Sequence, residues 1–253
     1  MDNHFTIMML GYNSAPWIRR CVESALQQDY DNFDVIAVDA ETNDGTYYIL
    51  KEYESNPRLT LIRNEKRKYV SENICVAMDA VTNDDTIVCC LDFDDQLMRG
   101  DVLQVLNREY DENTWLTYGS YADCYVNDDG SCSIYPNDKL ERYSDFAIET
   151  NNFRHENWQA THLRTFRKKL FDKIDRKSFI DPDTGTWYEM AGDMGLMFPL
   201  LELAGDKIKC IKECLYLYNK NNPLSDDKVS LDRQVSCENK IRNAEKYQAL
   251  ETL

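Results

Sequence analysis

The sequence is short of histidine, glycine and basic residues, and each shortage excludes something. Its three histidines, His4, His155 and His162, are too few for a histidine-rich metal centre. No G-x-G-x-x-G follows the first apolar run, which counts against a dinucleotide-binding fingerprint. The nine cysteines include no C-x-x-C pair, so buried free thiols in a reducing compartment are expected rather than disulfides or a zinc site. No apolar stretch approaches the roughly 18–20 residues that span a bilayer, so no transmembrane segment is expected. The opening MDNHFTIMML lacks a basic stretch leading into a long apolar run, so no signal peptide is read there and a cytoplasmic location is expected. Lysine and arginine number 29 against 45 acids, a net charge of −16. That disfavours a nucleic-acid-binding surface, and an anionic phosphate ligand would have to bring or find a cation.

Hydrophobic residues make up 43% of the 253, enough to bury the core of one large α/β domain or two small ones. In the first hundred residues strands and helices alternate. Phe5–Leu10, Asp34–Ala40, Leu59–Arg63 and Thr86–Leu91 read as short buried strands. Between them, Ile18, Cys21, Val22, Ala25 and Leu26 share one helical face, with Ser14 as cap and Pro16 in the first turn. Thr46–Ser55 looks helical after an Asn-Asp-Gly turn, and Ser71 is placed to cap a helix carrying Ile74, Ala77 and Met78. This order predicts a Rossmann-like, mostly parallel sheet flanked by helices. Further on, Trp115–Ala122 reads as a strand, 123–157 as polar loops and His162–Ile174 as a basic helical segment. Tyr188–Leu203 reads as helical in its second half, and Asp232–Leu250 as a surface helix.

Ligands of a parallel sheet sit outside the carboxyl ends of its strands. Two predicted strand ends carry acids: Asp39 after DVIAV, and Asp92, Asp94 and Asp95 in the LDFDD turn after TIVCC. Clustered carboxylates on such a turn can hold a hard divalent cation, or can form a solvated acidic turn.

Several motifs in order give the chain a resemblance to GT-A glycosyltransferases of the family 2 type, over residues 5 to about 205. FTIMMLGYNSAPWIRRCVESALQQDYDNFDVIAVDAETNDGT resembles the family's opening strand–helix–strand, LDFDD its DxD metal motif, and AGDMGLMFPLLELAG the segment with its catalytic acid. The resemblance implies a GT-A domain over 1–218, with a donor half to about 110 and an acceptor half beyond it. A C-terminal loop and helix over 219–253 would pack on that domain. It implies a transferase moving a sugar from a nucleotide-sugar, a UDP-sugar by its base-contacting residues, onto a hydroxyl of a glycan or other acceptor with inversion. A sugar nucleotidyltransferase and an inactive sugar- or nucleotide-binding relative are the alternatives. The first usually needs a glycine-rich basic loop where this chain has GYNSAPWIRR.

Residue by residue, the resemblance implies that Tyr12 stacks on the base and Asp39 bonds its edge. Asp92 and Asp94 would contact ribose or metal, with Asp95 the most direct ligand of Mn2+ or Mg2+ and Asp94 beside it. Asp193 would be the general base. Asn73 matches a recurring asparagine at the donor side, and Arg164, with His162, could face diphosphate or acceptor. Lys66–Arg67–Lys68 could approach the diphosphate, and Asn222 or Ser225 could close over the donor. The chain departs from the family at Gly11 (often threonine), Ala40 (usually a second acid), Gly192 (usually glutamate) and Gly195 (usually aspartate).

Overall fold

The computed structural model describes residues 2–127, 131–137 and 140–253. Its first half is β1 (Phe5–Gly11), α1 (Ile18–Leu26), β2 (Phe33–Asp39), α2 (Thr46–Lys51), β3 (Leu59–Arg63), α3 (Val70–Ala80) and β4 (Ile87–Asp92). The second half is β5 (Gln96–Leu97), α4 (Val102–Glu109), β6 (Leu116–Val126), β7 (Cys132–Pro136), α5 (Asp145–Glu149), β8 (Thr165–Arg167), α6 (Lys168–Phe171), α7 (Gly192–Ala204), β9 (Ile208–Asn219), α8 (Asp226–Val229) and α9 (Leu231–Asn243). Nine strands form one sheet in the order β3-β2-β1-β4-β8-β6-β9-β5, with β7 beside β6.

The expected parallel sheet holds for β3-β2-β1-β4. Beyond β4 the sheet is mixed: β8 is antiparallel to β4 and β6, while β9 is parallel to β6. Helices cover both faces of the parallel part, which is why its strands are apolar without clear alternation. Along β1, Phe5, Ile7 and Met9 pack in the cluster that holds α1 and α4, whereas Met8 and Leu10 pack in the cluster that holds α3 and α7.

Several local expectations are corrected. Ser14 does not cap α1 with its side chain. Its carbonyl accepts from Trp17 and Ile18, and its N–H donates to Thr46 Oγ1 at 2.8 Å, so residues 15–17 make a turn and the helix starts later. Ser71 is buried inside the first turn of α3, which Tyr69 precedes as cap residue. The polar stretch from 123 is not all loop, because β6 runs to Val126 and pairs with β7. Thr165–Arg167 is a strand rather than a helix, since pairing with β4 and β6 outweighs local propensity. The C-terminal helix ends at Asn243, and the following segment bonds to the end of α7 through Tyr247 N–H to Glu202 Oε2 and Leu250 N–H to Leu203 O. Glu202 is itself buried and holds Arg154 through two hydrogen bonds.

All nine cysteines are free, but only Cys21, Cys75, Cys89, Cys124 and Cys237 are fully buried. Among the described residues no helix is long and apolar enough to cross a membrane.

Candidate active site

Register brings the strand ends together. Leu10 lies opposite Asp92 and Gly11 opposite Asp39, so the ends of β1, β2 and β4 form one polar edge. Asp39 is fully buried; its Oδ1 accepts from the Thr42 N–H at 3.1 Å. Its Oδ2 has no hydrogen-bond partner among the described residues and meets Arg63 Nε at 3.4 Å. Burial raises the Asp39 pKa, with Thr42 and Arg63 opposing. Tyr12 lies next to this edge with the Arg67 guanidinium 4.0 Å from its ring centroid. Asn73 is buried and engaged within the protein. It accepts from Asn64 Nδ2 at 2.7 Å and donates to Lys68 O at 3.0 Å, which shapes the loop presenting Arg67.

The LDFDD turn is built around Phe93, whose N–H donates to Leu10 O at 2.8 Å and whose side chain is buried. A Cβ on Gly11 would lie 2.3 Å from Phe93 Cβ, so the glycine that departs from the family pattern is what this packing requires. With Phe93 inward, Asp95 is also held inside. Its Oδ1 accepts from the Asn219 N–H and its Oδ2 from the Tyr216 hydroxyl, both at 2.7 Å. Burial, then Asp94 and Asp92, push the Asp95 carboxyl well above the usual carboxylate range. Asp94 Oδ2 accepts from Asn222 Nδ2 at 2.7 Å, and burial raises its pKa too.

Ligand atoms of Asp92, Asp95 and His162 lie within 4.8 Å of one another. Asp94, expected beside Asp95, is not in this group and faces Asn222 instead. His162 is buried, stacked on Tyr216 with centroids 4.4 Å apart. Burial and the nearby Arg164 hold its pKa well below the ordinary imidazole value, so the ring is neutral and keeps a lone pair. Two carboxylates and a neutral imidazole suit a divalent cation.

Arg164 leaves the same loop as His162. Its Nε donates to Ala160 O at 2.9 Å and its Nη2 to Asp193 Oδ2 at 2.8 Å. Burial would lower the Arg164 pKa, but Asp193 and then Asp92 outweigh it, so this cation stands between the acid group and Asp193. Asp193 lies in the first turn of α7, part-exposed. The neighbouring Gly192 is required by packing: a Cβ there would lie 2.1 Å from Val70 Cγ1. Gly195 has no such constraint, its nearest neighbour being Ile241 Cδ1 at 3.8 Å.

Tyr216 and Asn219 were not singled out from sequence; their signal is the alternation of LYLYN at the end of β9. No spacing in the sequence pairs His162 with Asp92 and Asp95; only the fold brings them together.

The structure is similar to S. aureus TarS 1–349 in complex with UDP, with a TM-score of 0.64 and 17% identity, covering 94% of this chain and 64% of that one. The same protein in complex with UDP-GlcNAc gives 0.62 and 18%, over 87% and 59%. The mannosyltransferase PcManGT from Pyrobaculum calidifontis, in complex with GDP-Man and Mn2+, gives 0.60 and 16%, over 98% and 66%. The chain thus spans less than two thirds of the TarS chains it matches. Among curated proteins no sequence matches it. The family model for glycosyl transferase family 2 matches residues 6–189, which takes in every site residue above except Asp193 and those of the β9 end and the loop after it. With that match over most of its length and a GT-A sheet beneath it, the chain belongs to glycosyl transferase family 2.

Proposed function

We propose that the protein transfers a sugar from a UDP-sugar to a hydroxyl of a glycan acceptor, with inversion and with a divalent cation. The observation that carries this reading is the convergence of Asp92, Asp95 and His162 with the Arg164–Asp193 pair at the carboxyl edge of the parallel strands.

Asp39 and Tyr12 would hold the base. Asp39 Oδ2, which meets Arg63 Nε at 3.4 Å and has no hydrogen-bond partner among the described residues, would accept the imide N–H of uracil. Tyr12 would stack on the ring, with Arg67 on its other face or displaced toward phosphate. Asp92, Asp95 and His162 would hold the cation, and the imidazole favours manganese over magnesium. When bound, that cation would offset the negative charge of the departing diphosphate. Asp94, held by Asn222, would face the donor.

Asp193 is paired with Arg164 and is exposed enough to reach an acceptor. It would take the proton from the acceptor hydroxyl, whose oxygen attacks the anomeric carbon as the bond to the diphosphate oxygen breaks. A single displacement of this kind inverts the anomeric configuration. The deciding experiment is a thermal-shift screen of UDP-, GDP- and ADP-sugars with and without Mn2+, followed by NMR of any transfer product. Stabilisation by UDP-sugars only with metal supports the reading; a metal-independent response, or preference for a purine donor, overturns it.

A further inference from the structure

β6, β7 and β9 carry a row of tyrosines that the reaction centre does not use. Asp123 on β6 lies directly opposite Tyr135 on β7 and opposite Tyr218 on β9, so the three side chains line one face of the ribbon. Tyr121 and Tyr125 stand two residues to either side of Asp123 and share that face. The rings touch in pairs: Tyr121 and Tyr218 at 5.5 Å between centroids, Tyr125 and Tyr135 at 5.8 Å. The opposite face is accounted for, since Ala122, Cys124 and Leu217 are buried there in a small cluster of their own.

An outward face of such a ribbon is ordinarily polar. Here Tyr125 is 42% and Tyr135 59% exposed, so rings meet solvent, with Lys220 Nζ 5.0 Å from the Tyr218 ring centroid. Between them Asp123 has a buried Oδ1 with no hydrogen-bond partner among the described residues. The row is continuous with the site: Tyr218 stacks on His162 at 5.4 Å, and His162 belongs to the group with Asp92 and Asp95.

Rings flanking a carboxylate match one chemistry well. A pyranose presents C–H bonds on a face, which the negative face of an aromatic ring attracts, and hydroxyls at its edge, which a carboxylate accepts. We infer that this face holds an extended neutral oligosaccharide, the acceptor glycan, running outward from the reaction centre across Tyr218 and Tyr121 to Tyr125 and Tyr135. Tyr121 and Tyr125 are four strand residues apart, roughly 13 Å, so the contact spans more than one sugar. Lys220 over Tyr218 offsets Asp123 within the row, and the net charge of −16 on the chain disfavours a polyanionic acceptor. This inference rests on the glycosyltransferase reading.

The test measures binding of the full chain to immobilised neutral gluco-, galacto- and manno-oligosaccharides, each as disaccharide and hexasaccharide, with UDP binding measured in parallel. At least one hexasaccharide should bind more tightly than its disaccharide. Tyr125→Ala with Tyr135→Ala should weaken that binding about tenfold or more, while Tyr125→Phe with Tyr135→Phe largely keeps it and both variants bind UDP normally. If UDP binds but no neutral hexasaccharide does, or the alanine pair leaves binding unchanged, the glycan face is wrong and the transferase reading stands. Tighter binding of an anionic polymer, or a concentration-dependent dimer abolished by the alanine pair, would equally overturn it. Loss of UDP binding in the wild type would instead remove the reading beneath it.

Discussion

Arg164 donates from Nη2 to Asp193 Oδ2 at 2.8 Å, joining a loop residue that follows β6 and β7 to the first turn of α7. The bond fixes the orientation of the carboxylate and leaves its other oxygen beside the Met194 N–H. Asp193→Asn keeps an oxygen for Arg164 but cannot take a proton. Transfer should fall by about 10²–10⁴ while UDP and cation binding persist. Were Asp193 only a helix-terminal residue, the same change would cost a modest amount of stability and leave turnover near normal. Turnover and calorimetric UDP affinity, measured on one preparation, separate the two.

Asp95 gives a prediction about metal and pH together. Its folded-state pKa is raised, chiefly by burial, above the value it has in an unfolded chain. The folded state therefore binds more protons than the unfolded one once pH passes the ordinary carboxylate value, and stability falls as pH rises toward the folded pKa. As pH rises above the ordinary carboxylate value, the metal-free wild type should lose more melting temperature than metal-free Asp95→Asn, a comparison in which the opposite contribution of His162 cancels, and Mn2+ should remove most of that difference. Asp95→Asn should raise the metal-free melting temperature at pH 8, by roughly 2–4 °C for each kcal/mol relieved, and abolish the Mn2+ response. EDTA should stop transfer by the wild type. Full activity after exhaustive chelation would make the LDFDD turn purely structural.

For the donor base, Asp39→Ala removes a buried acceptor. UDP should bind more weakly by about 1–3 kcal/mol, with the fold retained as judged by circular dichroism. Unchanged affinity in calorimetry would take Asp39 out of the base site.

Gly192 tests the packing beneath Asp193. Gly192→Ala would drive a methyl against Val70 Cγ1, which lies 2.1 Å from the ideal Cβ position. Overpacking of this kind costs about 1–3 kcal/mol. With Val70→Ala added, the nearest remaining atoms are Val70 Cβ at 3.2 Å and Ser71 N at 3.3 Å, so much of the loss should return. A double-mutant cycle by urea denaturation that finds no coupling would contradict the packing.

Much of the donor half was legible in the residues themselves. The apolar runs became β1 to β4 within a residue or two, because strands buried on both faces must be apolar throughout. The acids after β2 and β4 were legible because the turn that carries them is next to the strand that positions it. Gly11 and Gly192, by contrast, looked like losses from a motif, and only packing against Phe93 and Val70 explains them.

The sequence by itself determined where apolar strands end and which acids follow them, because those features depend on neighbours a few residues away. The tertiary structure decided the company those acids keep. Asp95 is held by Tyr216 and Asn219, Asp92 and Asp95 meet His162, and Asp193 meets Arg164, all across separations that periodicity cannot encode. The same holds for the tyrosine row, where one-residue register between β6, β7 and β9 selects which side chains share a face. Long-range pairing also made Thr165–Arg167 a strand against its local helical pattern, since hydrogen bonds to two neighbouring strands outweigh a small intrinsic preference.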